Sequence, residues 1–146
     1  SLSNLLVHLV FSTKERRPFL RDAAKRDAMH RYLAGISERL DCPTLRVGGT
    51  EDHVHVLARQ ARTITLADWV KELKRASSLW AKSQSLSDFR WQAGYGGFSV
   101  SQSQSAEVER YVVRQAEHHH KLDFQQEFRK LLQLHGIEWD ERYVWD

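Results

Sequence analysis

The sequence predicts an α+β fold of the ferredoxin-like (split βαβ) type: a four-stranded antiparallel sheet with helices on one face and the other face left free for a site. Three observations point there. The element order reads strand, helix, strand, strand, helix, strand. Two of the segments carry apolar residues at helical three- and four-residue spacing. The others are short, apolar and punctuated by Gly or Pro. With 146 residues, 41% of them apolar and 28% charged, a single domain spanning 1–146 is expected to build its core without disulfide or metal staples.

Asn4 to Ser12 (NLLVHLVFS) reads as a central strand covered on both faces, and Lys14 to Arg21 as a basic connector containing Pro18. From Asp22 to Leu40 the positions Met29, Tyr32, Leu33, Ile36 and Leu40 make one helical stripe, closed by Asp41-Cys42-Pro43. Thr44 to Val47 and His53 to Ala58 read as two strands joined by a tight connection at Gly48-Gly49. A second amphipathic helix is expected from Leu66 to Lys82, with Thr65 as its N-cap and Leu66, Trp69, Val70, Leu73 and Trp80 on its apolar side. Gly94-Tyr95-Gly96-Gly97 reads as a flexible hinge before a short strand, Phe98 to Ser101. A third helix follows, capped by Ser103 or Ser105 and running to about His119. A fourth spans Leu122 to His135 and is ended by Gly136. These trailing helices should lie across or beside the free sheet face, with Trp139, Tyr143 and Trp145 packing to pin the tail.

Composition excludes several classes. Cys42 is the only cysteine, so no intramolecular disulfide can form, and the apolar runs are far too short to cross a bilayer. No signal peptide is indicated, which points to a soluble, reducing, cytoplasmic setting without membrane attachment. The net charge is only +3, but it is unevenly spread. Lys14 to Arg39 holds eight Lys/Arg against four Asp/Glu, and Arg59 to Arg90 seven against three, whereas Ser105 to Asp146 is acidic, six against nine. Such blocks are either solvated helix faces or a polarised surface that attracts a phosphate backbone.

The sharpest local motif is His53-Val54-His55. Alternation along a strand puts the two imidazoles on one face, about 6 to 7 Å apart, where they could converge on a divalent cation; they could equally be two half-exposed sheet histidines. Tyr111 and Gln115, four residues apart, would share one face of the third helix. Gln offers a carbonyl oxygen to a cation, and Tyr can serve as a covalent nucleophile, although a Tyr beside Val108 and Val112 is often packing. His8 would face the site or be a satisfied sheet histidine. His118, His119 and His120 point in different directions on a regular helix and cannot chelate together. Tyr95 is expected to fill a turn and Tyr32 to be core.

Taken together, His53-Val54-His55, the stretch GYGGFSVSQSQ and Tyr111-x-x-x-Gln115 followed by His118-His119 resemble the small single-tyrosine (HUH) transposases of the insertion-sequence 200/605 type. The opening VHLVFSTKERR is also similar to that family's first strand and basic connector, and the likeness spans essentially the whole chain. The resemblance implies Tyr111 as nucleophile, carried by the C-terminal helices, and His53, His55 and Gln115 as ligands of Mg²⁺ or Mn²⁺. It implies cleavage and rejoining of single-stranded DNA at mobile-element ends through a 5′-phosphotyrosine intermediate. It further implies subterminal DNA hairpins as partners, with Lys14, Arg16, Arg17, Lys71, Lys74 and Arg75 as phosphate contacts. In the family, two subunits pair into a homodimer in which one tyrosine helix can complete the other's histidine site, and the glycine-rich hinge is compatible with such an exchange.

Other readings stay open. One is a domesticated relative of the same chemistry acting on repeated extragenic palindromes. Another is a non-catalytic single-strand nucleic-acid-binding module, although no expected strand shows a run of exposed aromatics for base stacking.

Overall fold

The computed structural model describes residues 1–115 and 122–146. Its sheet contains β1 (Leu6–Ser12), β2 (Thr44–Gly49), β3 (His53–Arg59) and β4 (Gly96–Val100) in the order β2-β3-β1-β4, with every neighbouring pair antiparallel. The expected α+β split βαβ arrangement is therefore the one observed. β1 is central, and all but one of its residues are buried.

α1 (Ala23–Arg39) and α2 (Leu66–Ser83) cover one face. Alternation sends Leu9, Phe11, Val54, Val56 and Ala58 to that side, where they pack with Met29, Leu33 and Ile36 of α1 and Trp69, Val70 and Leu73 of α2. α2 begins as the sequence predicts, with Thr65 accepting from the Asp68 N–H; α1 starts one residue after its expected boundary, with Asp22 as N-cap accepting from the Lys25 N–H. Tyr32 packs against this core and stacks on Trp80 at 4.9 Å.

The opposite face takes α3 (Ser105–Val113) and α4 (Phe124–Leu134). Val10 and Phe98 from the sheet meet Phe124, Phe128 and Leu132 of α4, and the tail closes over them through Trp139, Val144 and Trp145. Tyr143, expected to share that packing, is 65% exposed. α4 starts on a capping box between Asp123 and Gln126 and stops before Gly136, whose φ is 66°. No described helix is long and apolar enough to cross a membrane.

Four expectations need correction. The simplest is the start of α3, which is capped by Gln104 with no side-chain cap rather than by Ser103 or Ser105. Gly48-Gly49 is not the turn between β2 and β3; both glycines lie in β2, opposite His55 and Val54, and the reversal occurs at 50–52. Gly96-Gly97 is likewise strand rather than hinge, paired with Val10 and Leu9, and a Cβ on Gly96 would fall 2.5 Å from the Phe128 ring. The physical reason is helix approach: α3 sits so close to β2 that a Cβ on Gly48 would lie 2.4 Å from the Val112 carbonyl oxygen. Fourth, α3 ends at Val113 with Arg114 as C-cap, so Gln115 lies beyond the helix that carries Tyr111. The expected continuation to His119, and the triplet His118 to His120, fall outside the described residues.

Gly48→Ala should lift α3 off the sheet and destabilise the fold by about 1–3 kcal/mol, the usual cost of overpacking. Urea unfolding would measure it, and a midpoint unchanged from the parent protein would contradict this account of the close approach.

Candidate active site

The sheet face under α3 and α4 carries the site. His53 and His55 project from it, 2% and 0% exposed, because odd positions of β3 point that way. His53 opens β3 directly after the 50–52 reversal, so the reversal itself anchors the ring: its Nδ1 lies 2.7 Å from Asp52 Oδ1 and 2.9 Å from Thr50 Oγ1. Phe124, at the start of α4, packs on the same ring with centroids 5.0 Å apart. His55 sits deeper. Its Nδ1 lies 2.7 Å from Nε2 of His8, which comes from β1.

Both Nε2 atoms aim at one point, and α4 delivers Glu127 to it. Glu127 Oε1 is 2.9 Å from His55 Nε2 and 3.1 Å from His53 Nε2. Gln115 joins from beyond α3, with Oε1 3.1 Å from His53 Nε2 and its amide donating to Glu127 Oε2 at 3.1 Å. The Tyr111 hydroxyl donates to that same Oε2. The expected nucleophile and all three expected ligands therefore converge within one chain, around a carboxylate that sequence reasoning missed. The signal for Glu127 was present, since it interrupts the apolar stripe formed by Phe124, Phe128 and Leu131.

The donor set fits a divalent cation. One ligand atom each from His53, His55 and Glu127 lies within 4.8 Å of the others, all three residues are buried, and two imidazoles with carboxylate and amide oxygens suit Mg²⁺, Mn²⁺ or Zn²⁺. Electrostatics agree. Burial opposes the charge on Glu127, yet His55 and His53 hold its carboxyl well below the usual range, so it is an anion. Burial would also depress His53, but the hydrogen bonds to Asp52 and Glu127 win and push it up to about 9. His55 goes the other way and stays neutral, lowered by burial despite the pull of Glu127; His8 is lowered too, by burial and by His55. Burial, with the charge of Glu127 behind it, raises the Tyr111 phenol. A cavity of 630 Å³ leads to Tyr111 and Glu127, walled by Phe98, Val108 and Leu131.

The expected cationic contacts fare unevenly. Lys14 and Arg17 are exposed and Arg16 is partly so, on the loop after β1. The Lys14 N–H donates to the carbonyl of Arg90, and Thr13 pairs with Trp91. Arg90 and Trp91 in turn line a 480 Å³ groove with Lys71, Lys74 and Arg75, so the two basic blocks of the sequence adjoin in space. Lys74 is already engaged by the backbone. Its Nζ donates to the carbonyls of Gln92, Ala93 and Gly94 at 2.7–3.2 Å, and burial lowers its pKa to about 8. Arg75 forms a two-bond pair with Glu72 at 2.6 and 2.8 Å. Tyr95 stands just before β4, partly buried against the larger core rather than in a turn, with Lys74 over its ring at 5.7 Å.

Comparison with known proteins follows the same line. The sequence profile of a family described as "Transposase IS200 like" matches residues 1–115. A crystal structure of a candidate transposase from Deinococcus radiodurans R1 superposes with a TM-score of 0.62 at 24% identity, covering 80% of this chain and 94% of that one. A REP-associated tyrosine transposase bound to a REP hairpin superposes at 0.57 and 10% identity, covering 76% of this chain and 66% of that one. At these identities the two likenesses concern the fold. None of the curated proteins matches the chain.

In metal-free protein His53 should titrate near 9, against 6.5 for a free imidazole. The folded state then binds the extra proton, so this group's contribution to stability is complete below about 6.5 and is lost as pH rises through about 9. Thermal melts in chelator should show a falling Tm across that window, flattened in Asp52→Asn; an equal fall in both proteins would remove Asp52 as the cause.

Proposed function

The chain belongs to the IS200-like transposase family, and from that premise we propose that it cuts and rejoins single-stranded DNA with a divalent metal and Tyr111 as the covalent nucleophile. The observation that carries this reading is the meeting, within one buried cluster, of the Tyr111 hydroxyl with Glu127, which also faces Nε2 of both histidines.

His53, His55 and Gln115 would hold the metal, with Glu127 as a further oxygen ligand. A bound cation would neutralise charge building on the non-bridging oxygens of the scissile phosphate. The residues of the chain do the rest. Tyr111 Oη forms a bond to phosphorus as the bond from phosphorus to O3′ breaks, giving a 5′-phosphotyrosine and a free 3′-hydroxyl. The phenol proton, which Tyr111 donates in its hydrogen bond to Glu127, ends on the departing O3′. Because the ester linkage is conserved, a new 3′-hydroxyl can attack the phosphotyrosine and restore a strand. The packing of α3 on Gly48 holds Tyr111 in place, so little ordering is left for the moment of reaction.

Tyr111 meets the histidines of its own chain, which favours a site complete in cis over one completed by a partner's helix. For DNA, the basic groove on the α2 side gives a phosphate path through Lys71, Arg90 and the neighbouring Lys14 and Arg17. A hairpin is the natural occupant, given the hairpin-bound relative. Acting on repeated palindromes within such hairpins would use the same chemistry.

Tyr111→Phe should abolish a covalent protein–DNA adduct on denaturing gels while leaving the fold and oligonucleotide binding intact, and cleavage surviving in that variant would refute the nucleophile assignment. His53→Ala or His55→Ala should each remove metal-dependent cleavage. Binding to a hairpin oligonucleotide should weaken steeply with salt, and Lys71→Ala and Arg90→Ala should each reduce the slope of log K against log salt by about one. A slope unchanged in both variants would move the DNA path elsewhere.

A further inference from the structure

We propose that His8 is a positioning residue: it hydrogen-bonds Nδ1 of His55 and holds that ring in the one orientation that turns Nε2 toward the metal point. The proposal rests on the metal-site reading above and adds a role to a residue outside the donor set.

A neutral imidazole that ligates through Nε2 carries its proton on Nδ1, and that proton needs an acceptor if the ring is buried. His53 meets the need locally. The 50–52 reversal supplies Asp52 Oδ1 at 2.7 Å and Thr50 Oγ1 at 2.9 Å. His55 cannot be served this way. It lies in the body of β3, where Val54 and Val56 point to the opposite face and belong to the other core. Its anchor must therefore come from a neighbouring strand.

The β1–β3 register supplies one. Val10 stands opposite His55 and His8 opposite Leu57, so His8 is the diagonal neighbour of His55 on the same face. The imidazoles lie nearly parallel, 26° apart with centroids 4.9 Å apart, and His8 Nε2 meets His55 Nδ1 at 2.7 Å. No other hydrogen-bond partner of that Nδ1 occurs among the described residues. At 3% exposure His8 is itself locked in place.

An imidazole suits this position better than a carboxylate would. Without metal, His55 Nε2–H donates to Glu127, so its Nδ1 is bare and His8 must donate to it. With metal on Nε2, His55 Nδ1–H becomes the donor and His8 Nε2 must accept. Each ring keeps one proton in both states, on Nε2 in the first and on Nδ1 in the second. A neutral histidine can play both parts, whereas a carboxylate could only accept.

The test is metal binding without DNA. Mn²⁺ is titrated into chelator-stripped protein by calorimetry, for the parent, His8→Phe, which keeps a ring but no acceptor, and His8→Gln, whose amide can donate or accept. His8→Phe should weaken Mn²⁺ binding about 10- to 100-fold, as loss of such a partner does elsewhere, and His8→Gln should recover most of it. Equal affinity in His8→Phe and the parent overturns the proposal alone. A parent protein that binds no Mn²⁺ overturns the metal-site reading and this proposal with it. Nitrogen NMR of the parent protein needs no variant to fold: His55 and His8 should both change from the Nε2–H to the Nδ1–H tautomer on addition of Zn²⁺; a change in His55 alone overturns the proposal, and a His55 that keeps its proton on Nε2 overturns the metal-site reading with it.

Discussion

A buried carboxylate is costly to hold in a protein interior, and the arrangement of this site follows from how Glu127 is compensated. One of its oxygens accepts from the imidazoles of β3, and the other accepts from the Tyr111 phenol and the Gln115 amide. Remove any of these donors and an anion packed beside Phe124 and Phe128 is left short of partners. The same group thus ties α4 to the sheet and to α3, and draws Tyr111, Gln115 and the two histidines together. On the proposed function, stability and chemistry are coupled there, because the pairs that make the buried charge tolerable are the ones assigned to the reaction.

The charges also explain why two histidines two residues apart behave differently. Glu127 faces both, but His53 has a second carboxylate in Asp52, while His55 has His8 and a protonated His53 for neighbours. One extra proton is therefore favoured at the cluster, and it sits on His53. A divalent cation at the same point would take over the role of that positive charge, which is why the donor set reads as a metal centre rather than as a structural ion pair.

Around this centre the scaffold divides its labour. The larger core, between the sheet and α1 and α2, is built from alternating strand residues and helical stripes and does not reach the site. The smaller one, between the sheet and α4, is closed by the C-terminal tail and positions Glu127 and Phe124. Glycines at 48 and 96 let the site-face helices approach the strands closely, so they serve packing where a tight turn and a flexible hinge had been expected. The basic groove lies beside α2 and the site beneath α3 and α4, an arrangement suited to a ligand with two separately recognised parts.

The sequence by itself determined the order and type of the sheet strands and of the two helices that cover them, the Thr65 cap, the topology and the shared face of His53 and His55, because periodicities of two and of three to four residues and a capping residue are local properties of the chain. It also carried the motif that marks Tyr111 and Gln115. Only the tertiary structure decided that Glu127 stands between them, that His8 reaches His55, that Lys74 is spent on backbone carbonyls and that Gln115 lies past the end of its helix. The contact from His55 to Glu127 spans 72 residues and that from His8 to His55 spans 47. At such separations the meeting is fixed by strand register and helix packing, and no local pattern records which polar side chain will arrive at a buried point.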